Sequence, residues 1–165
     1  MTSRWMVVLV AAAFVGFAAA PTSAQTFTLT ASLNGANEPP IPGINTGAFG
    51  SATVVVDMTA RTVTYTVNVF SLPSGVTASH IHAGAAGTAG PVVVNFAPPV
   101  PASNDFTFTG TVKDTEFVLS AGNAALGIRS ADDMFQAILG GNSYVNVHSA
   151  VNPGGEIRGQ LVLSR

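Results

Sequence analysis

From Gln25 onward the chain alternates apolar and polar residues with a period of two. Phe27, Leu29, Ala31 and Leu33 interleave with Thr28, Thr30 and Ser32, and Val63, Tyr65, Val67 and Val69 share one face of a later segment. Successive strand side chains point to opposite faces, so this pattern predicts half-buried strands. Gly47 to Met58 reads as a long strand, Asp57-Met58-Thr59-Ala60-Arg61 as a hairpin turn, and Thr62 to Phe70 as the return. Similar stretches at 77–82, 91–96, 105–113, 143–148 and 155–163 bring the count to about eight strands. Short strands at such spacing predict an all-β antiparallel Greek-key sandwich or barrel. One segment has a different period. Met134, Phe135, Ile138 and Leu139 follow Ser130-Ala131-Asp132-Asp133 and precede Gly140-Gly141. Ser130 suits an N-cap, the two Asp suit the positive end of the helix dipole, and the glycines end the helix. The spacing predicts one short helix near 131–139 that closes an end of the sandwich.

Residues 1–24 follow another order. Arg4 precedes an apolar run from Met6 to Ala20, and Thr22-Ser23-Ala24 supplies small residues. This is the three-part pattern of a secretory signal peptide, with cleavage expected after Ala24. Pro21 ends the run short of the about 20 apolar residues that span a bilayer. No membrane span is expected after cleavage, and the protein is expected to be secreted or periplasmic. Residues 25–165 show no composition break and no long repeat, which predicts a single domain.

Composition removes several classes of function. With Arg4 gone, five Lys+Arg face eight Asp+Glu, a net charge of −3. No basic cluster is present to neutralise phosphates, which excludes nucleic acid as a partner. Zero Cys excludes a disulfide framework, a thiolate metal site, a Cys nucleophile and a bacterial lipobox lipid anchor. A 47% hydrophobic chain is too apolar to be intrinsically disordered. No nucleophile elbow, phosphate-cradling loop or dinucleotide fingerprint occurs. Asp132 and Asp133 are adjacent on a helix and point apart, so they are no acid/base pair.

The three histidines carry the remaining chemistry. His80 and His82 lie two apart on a strand and face one way, with Ile81 facing the other. His148 shares its face with Asn146 and Tyr144, while Val145 and Val147 point to the core. If the two strands come together, three imidazoles converge on one outer face. Neutral imidazoles bind Zn, Cu, Ni or Fe and leave an open coordination position. A metal site requires their ring nitrogens to approach within about 4–5 Å of one another. Asn146 and Glu156 are the expected acceptors for the ring N–H groups. Surface histidines with no role are the competing reading.

Gly155-Glu156-Ile157-Arg158-Gly159-Gln160-Leu161 places Glu156, Arg158 and Gln160 on one face and Ile157 and Leu161 on the other. The turn Asn152-Pro153-Gly154-Gly155 predicts that this strand is a hairpin neighbour of the His148 strand. Arg158 then lies near His148. It either guides an anion or forms a cross-strand pair with Glu156 that contributes only solubility.

In order along the chain stand Leu33-Asn34-Gly35-Ala36-Asn37-Glu38-Pro39-Pro40, Thr46-Gly47-Ala48-Phe49-Gly50-Ser51-Ala52, Ser79-His80-Ile81-His82-Ala83-Gly84, Gly90-Pro91-Val92-Val93, Tyr144-Val145-Asn146-Val147-His148-Ser149 and Asn152-Pro153-Gly154-Gly155-Glu156-Ile157-Arg158-Gly159-Gln160-Leu161. Together they resemble the CHRD (chordin-type) domain family in its bacterial, single-domain secreted form. The resemblance covers nearly all of residues 25–165. It implies an all-β sandwich, immunoglobulin-like or superoxide-dismutase-like, and an extracellular setting, and says little about activity. In chordin the context is binding of secreted growth factors. The His-x-His strand, the later Val-x-Val-His strand and the Arg strand after a Gly-rich turn are also similar to Cu/Zn superoxide dismutases. That likeness implies that His80, His82 and His148 hold copper, with Arg158 beside it. The bridging His, the zinc loop and the disulfide Cys of that family have no counterpart here. The leading expectation is therefore an exported, non-catalytic binding or surface module with one Cu or Zn ion on three histidines and an extracytoplasmic partner. A copper-dependent, dismutase-like enzyme and a purely structural domain are the alternatives.

Overall fold

The computed structural model describes residues 25–98 and 103–164. The signal peptide expected at 1–24 lies outside them, as does most of the second Pro-rich loop. The described strands are β1 (Thr26–Asn34), β2 (Phe49–Asp57), β3 (Thr62–Phe70), β4 (Val76–Ala83), β5 (Val92–Asn95), β6 (Phe106–Lys113), β7 (Ser143–Ser149), β8 (Ile157–Gln160) and β9 (Val162–Leu163). Two helices, α1 (Ala121–Ala125) and α2 (Ala131–Leu139), precede β7. All pairings are antiparallel, and the sheet order is β5-β4-β7-β8-β1-β2-β3-β6, with β9 on β1.

The sheet curls until its two ends nearly meet, forming an almost closed barrel. Val118 N–H, in the segment after β6, donates to Val93 O of β5 at 2.9 Å. Tyr65 of β3 stacks on Phe96 with centroids 3.8 Å apart, and its hydroxyl accepts from Ala97 N–H. These contacts bring the β5 and β6 ends of the sheet together. The inward residues of the alternating pattern fill the interior: Leu29, Val54, Val56, Val63, Val67, Val69, Ile81, Val145 and Val147 are fully buried. Burial of apolar surface is the main stabilising term of such a core.

The hairpin expected at 57–61 forms because Asp57 Oδ1 accepts from Thr59 and Ala60 N–H, while Arg61 adopts φ +59°. The helix expected near 131–139 is present. Ser130 Oγ accepts from Asp133 N–H, and Met134, Phe135 and Ile138 join the core. One expectation gains detail and one element was unforeseen. The strand predicted at 155–163 forms as β8 and β9, which pair with β1 in a single register on either side of buried Leu161, whose N–H still donates to Ser143 O of β7. The short helix α1 lacked an apolar stripe and so gave no periodic signal. Its Ser120 cap and the buried Asn123 amide, which donates to Val92 O and Val118 O, hold it at the barrel seam.

Candidate metal centre

The site forms where β4, β7 and β8 lie side by side. The register sets His80 of β4 opposite Asn146 of β7, which faces Arg158 of β8. The next row is His82, Tyr144 and Gln160. His148 faces Ala78, one diagonal step from His80. Directly opposed and diagonal residues on one face of a sheet are close enough for ring contact. The hairpin relation of β7 and β8 and the convergence of the three histidines agree with the sequence reading. Their face points away from the core, yet it is no open surface. The loops after β1 and β4 and the turn 152–155 lie over it, and every residue of β7 is buried on both faces.

The candidate ligand nitrogens of His80, His82 and His148 lie within 4.8 Å of one another. Backbone carbonyls orient two of the rings. His82 Nδ1–H donates to Gly90 O at 2.8 Å, and His148 Nδ1–H donates to Pro153 O at 3.0 Å. Each Nε2 is therefore a lone-pair acceptor. His148 Nε2 takes the Nδ1–H of His80 at 3.1 Å, while His82 Nε2 is buried without a partner. Tyr144 stacks face to face on His82, with centroids 5.0 Å apart. Burial lowers all three imidazoles. It is the largest cause for His80, which falls to about 4 with further help from His148 and His82, and for His82 and His148 it outweighs their carbonyl bonds. Neutral rings are the form that ligates.

This donor set fits a divalent transition metal. Bonds near 2.0 Å in tetrahedral geometry place ligand nitrogens about 3.3 Å apart, within reach of small rotamer changes from 4.8 Å. A metal held there would take the place of the Nδ1–H that His80 gives to His148, that proton moving to His80 Nε2, and would give the orphaned His82 Nε2 a partner.

The other predicted residues take different posts. Glu156 is fully buried, but its carboxylate accepts from Thr46 Oγ1, Ser149 Oγ and Asn152 Nδ2. Burial tends to raise this carboxyl, and the three bonds outweigh it and hold it below the usual range. With its lone pairs so used, Glu156 accepts from no histidine. It ties down the turn that carries the Pro153 carbonyl instead. Asn146 lies between His80 and Arg158, but its Oδ1 has no partner, so it too accepts from no ring. Carbonyls of Gly90 and Pro153 fill both expected acceptor roles. Glu156 and Arg158 form no ion pair; the ion pairs among the described residues both belong to Arg61. Arg158 is 2% exposed. Its guanidinium lies 4.1 Å over the Tyr144 ring and donates to Asn37 O and Thr88 O.

The carboxyl that feels the charge of Arg158 is Glu38, which the sequence reading did not select as a site residue. It is 3% exposed, and burial pushes its carboxyl up to about 7 against the pull of Arg158. One signal was present: Glu38 is a charged residue inside the Gly35-to-Pro40 motif of a chain with few charges. Gly155 makes room for it at φ +134°. A Cβ there would lie 2.7 Å from Glu38 Oε1 and 2.6 Å from Asn146 Nδ2.

A comparison with protein families matches the CHRD domain model to residues 29–161, from β1 to the end of β8 and through every residue of the site. No curated protein and no solved structure gives a significant match. The matched span takes in all but the ends of the barrel just described, and the chain belongs to the CHRD domain family.

Proposed function

We propose that this CHRD protein is an exported, non-catalytic binding module that holds one Cu or Zn ion on His80, His82 and His148. One observation carries the reading: three neutral ring nitrogens lie within 4.8 Å, and carbonyls set the tautomers of two of them. Such fixing of the ring by its other nitrogen is the usual companion of a ligating histidine. Imidazole ligands without thiolate suit Cu and Zn. Export rests on the signal pattern of residues 1–24 and accords with the family. The partner is a molecule met outside the cytoplasm.

Titration of the protein lacking residues 1–24 with Cu²⁺ and Zn²⁺ tests this. The expected result is one equivalent bound. His148→Ala is expected to weaken binding more than about 100-fold, beyond the 10–100-fold that outer-shell partners contribute. Binding unchanged in that variant overturns the site. Turnover of superoxide by the copper-loaded protein overturns the non-catalytic part and restores the dismutase-like alternative.

A further inference from the structure

Five buried side-chain polar atoms among the described residues have no hydrogen-bond partner: Glu38 Oε1, His82 Nε2, Asn123 Oδ1, Asn146 Oδ1 and Arg158 Nη2. Four of them belong to residues that line one half-open cavity of about 220 Å³, bordered by the loop after β1, the Gly90 loop and the 154 turn. Buried polar groups are normally satisfied, and each orphan costs on the order of 1–3 kcal/mol. A cluster of four calls for an occupant. The hydrogen-bonding capacity of the lining restricts its chemistry. Arg158 is a buried cation with no carboxylate within ion-pair distance, held by two carbonyls and a ring face, so Nη2 and its two N–H donors are left without a partner. Asn146 presents an amide whose oxygen and nitrogen ends exchange by a flip. Burial keeps the Glu38 carboxyl mostly protonated below pH 7, which removes a competing negative charge and adds an O–H donor. His82 brings the edge of the metal site to the same cavity.

We propose that this cavity is an anion pocket: a small carboxylate-type anion binds Arg158 Nη2 and the Asn146 amide at one end and, in the metal-loaded protein, the open coordination position beside His82 at the other. The second contact rests on the metal reading; the first does not. The cavity is smaller than the 300–1,000 Å³ of drug-sized sites, which limits the ligand to a few heavy atoms. Bidentate recognition of a carboxylate is the geometry that guanidinium serves best.

Sodium formate is the probe. It is titrated at pH 6 into the metal-free chain and the chain loaded with one Zn²⁺, followed by the NMR signal of the Arg158 side chain and by calorimetry. The expected result is a saturating shift of that signal with one site, at least tenfold tighter with zinc. Arg158→Gln is expected to weaken binding at least tenfold. Because Arg158 also clamps two loops, Asn146→Asp provides a second variant. It places a negative charge in the pocket and is expected to abolish formate binding while zinc still binds. Zinc binding with no effect of formate on Arg158 overturns the anion pocket and leaves the histidine site standing. So does formate binding unaltered by Asn146→Asp. A saturating formate shift in a protein that takes up no zinc overturns the histidine reading and supports the Arg158 end of the pocket.

Discussion

Glu38, His82, Asn146 and Arg158 come from four separate segments, and each meets a polar environment that its neighbours in sequence do not supply. Glu38 has the clearest thermodynamic consequence. Its folded-state carboxyl, at about 7, lies above the ordinary value of 4.5. Between those values the unfolded chain has released the proton and the folded chain still holds it. Stability is therefore full below about pH 4.5 and falls as pH rises through 7. Glu38→Gln removes the titrating group. Denaturant unfolding of both proteins at pH 4.5 and pH 8 is expected to show the wild type losing on the order of 1–3 kcal/mol more than the variant over that interval. An equal loss in both would show that the carboxyl is not held protonated.

At the level of elements, β8 is the short strand that joins the site to the rest of the barrel. It pairs with β7 over four residues and approaches β1 at Asn34. Gly159 permits that approach: a Cβ there would lie 2.2 Å from Ser32 O. That atom belongs to the backbone of a strand paired along its length with β2 and cannot yield cheaply. Gly159→Ala is expected to destabilise the fold by about 2 kcal/mol or more, at the high end of single-site effects. It is also expected to weaken zinc uptake at the proposed histidine site, because Arg158 and Gln160 move with the strand. Urea unfolding together with zinc affinity reads both effects. The helices contrast with each other in how visibly they are written. α2 carries a cap, an acidic first turn and an apolar stripe, all local signals. α1 depends on Asn123 reaching the carbonyls of Val92 and Val118 across the seam, a contact that no periodicity encodes.

Across the whole molecule, the histidine cluster ties together parts that lie far apart in the chain. His80 and His148 are 68 residues apart, and the carbonyls that orient His82 and His148 lie on two different loops. A ligand that binds only the folded arrangement stabilises it by mass action. Zinc at 100 times its dissociation constant is expected to add about 2.7 kcal/mol and to raise the melting temperature of the whole barrel in one transition. Calorimetry with and without zinc checks this. His148→Ala is expected to lose the increment. A zinc-dependent shift that survives in that variant would place the metal elsewhere.

Much of this was legible before any coordinates. Alternation is local, because successive Cβ atoms of a strand must point to opposite faces. Residue order alone therefore put His80 with His82, placed His148 with Asn146 and Tyr144, sent Ile81, Val145 and Val147 inward, and made the chain an antiparallel all-β domain. The turn at 152–155 made β7 and β8 neighbours for the same local reason. Which strands adjoin across long stretches of chain is a different matter. The β4–β7 pairing, the pairing of β8 and β9 with β1, and the loops laid over the histidine face depend on contacts between distant residues. Those contacts assigned the ring N–H groups to the carbonyls of Gly90 and Pro153 rather than to Asn146 and Glu156. They also buried Glu38 beside Arg158. A side chain's direction follows from its place in a strand, but its dielectric environment and hydrogen-bond partners exist only once the barrel has closed around it.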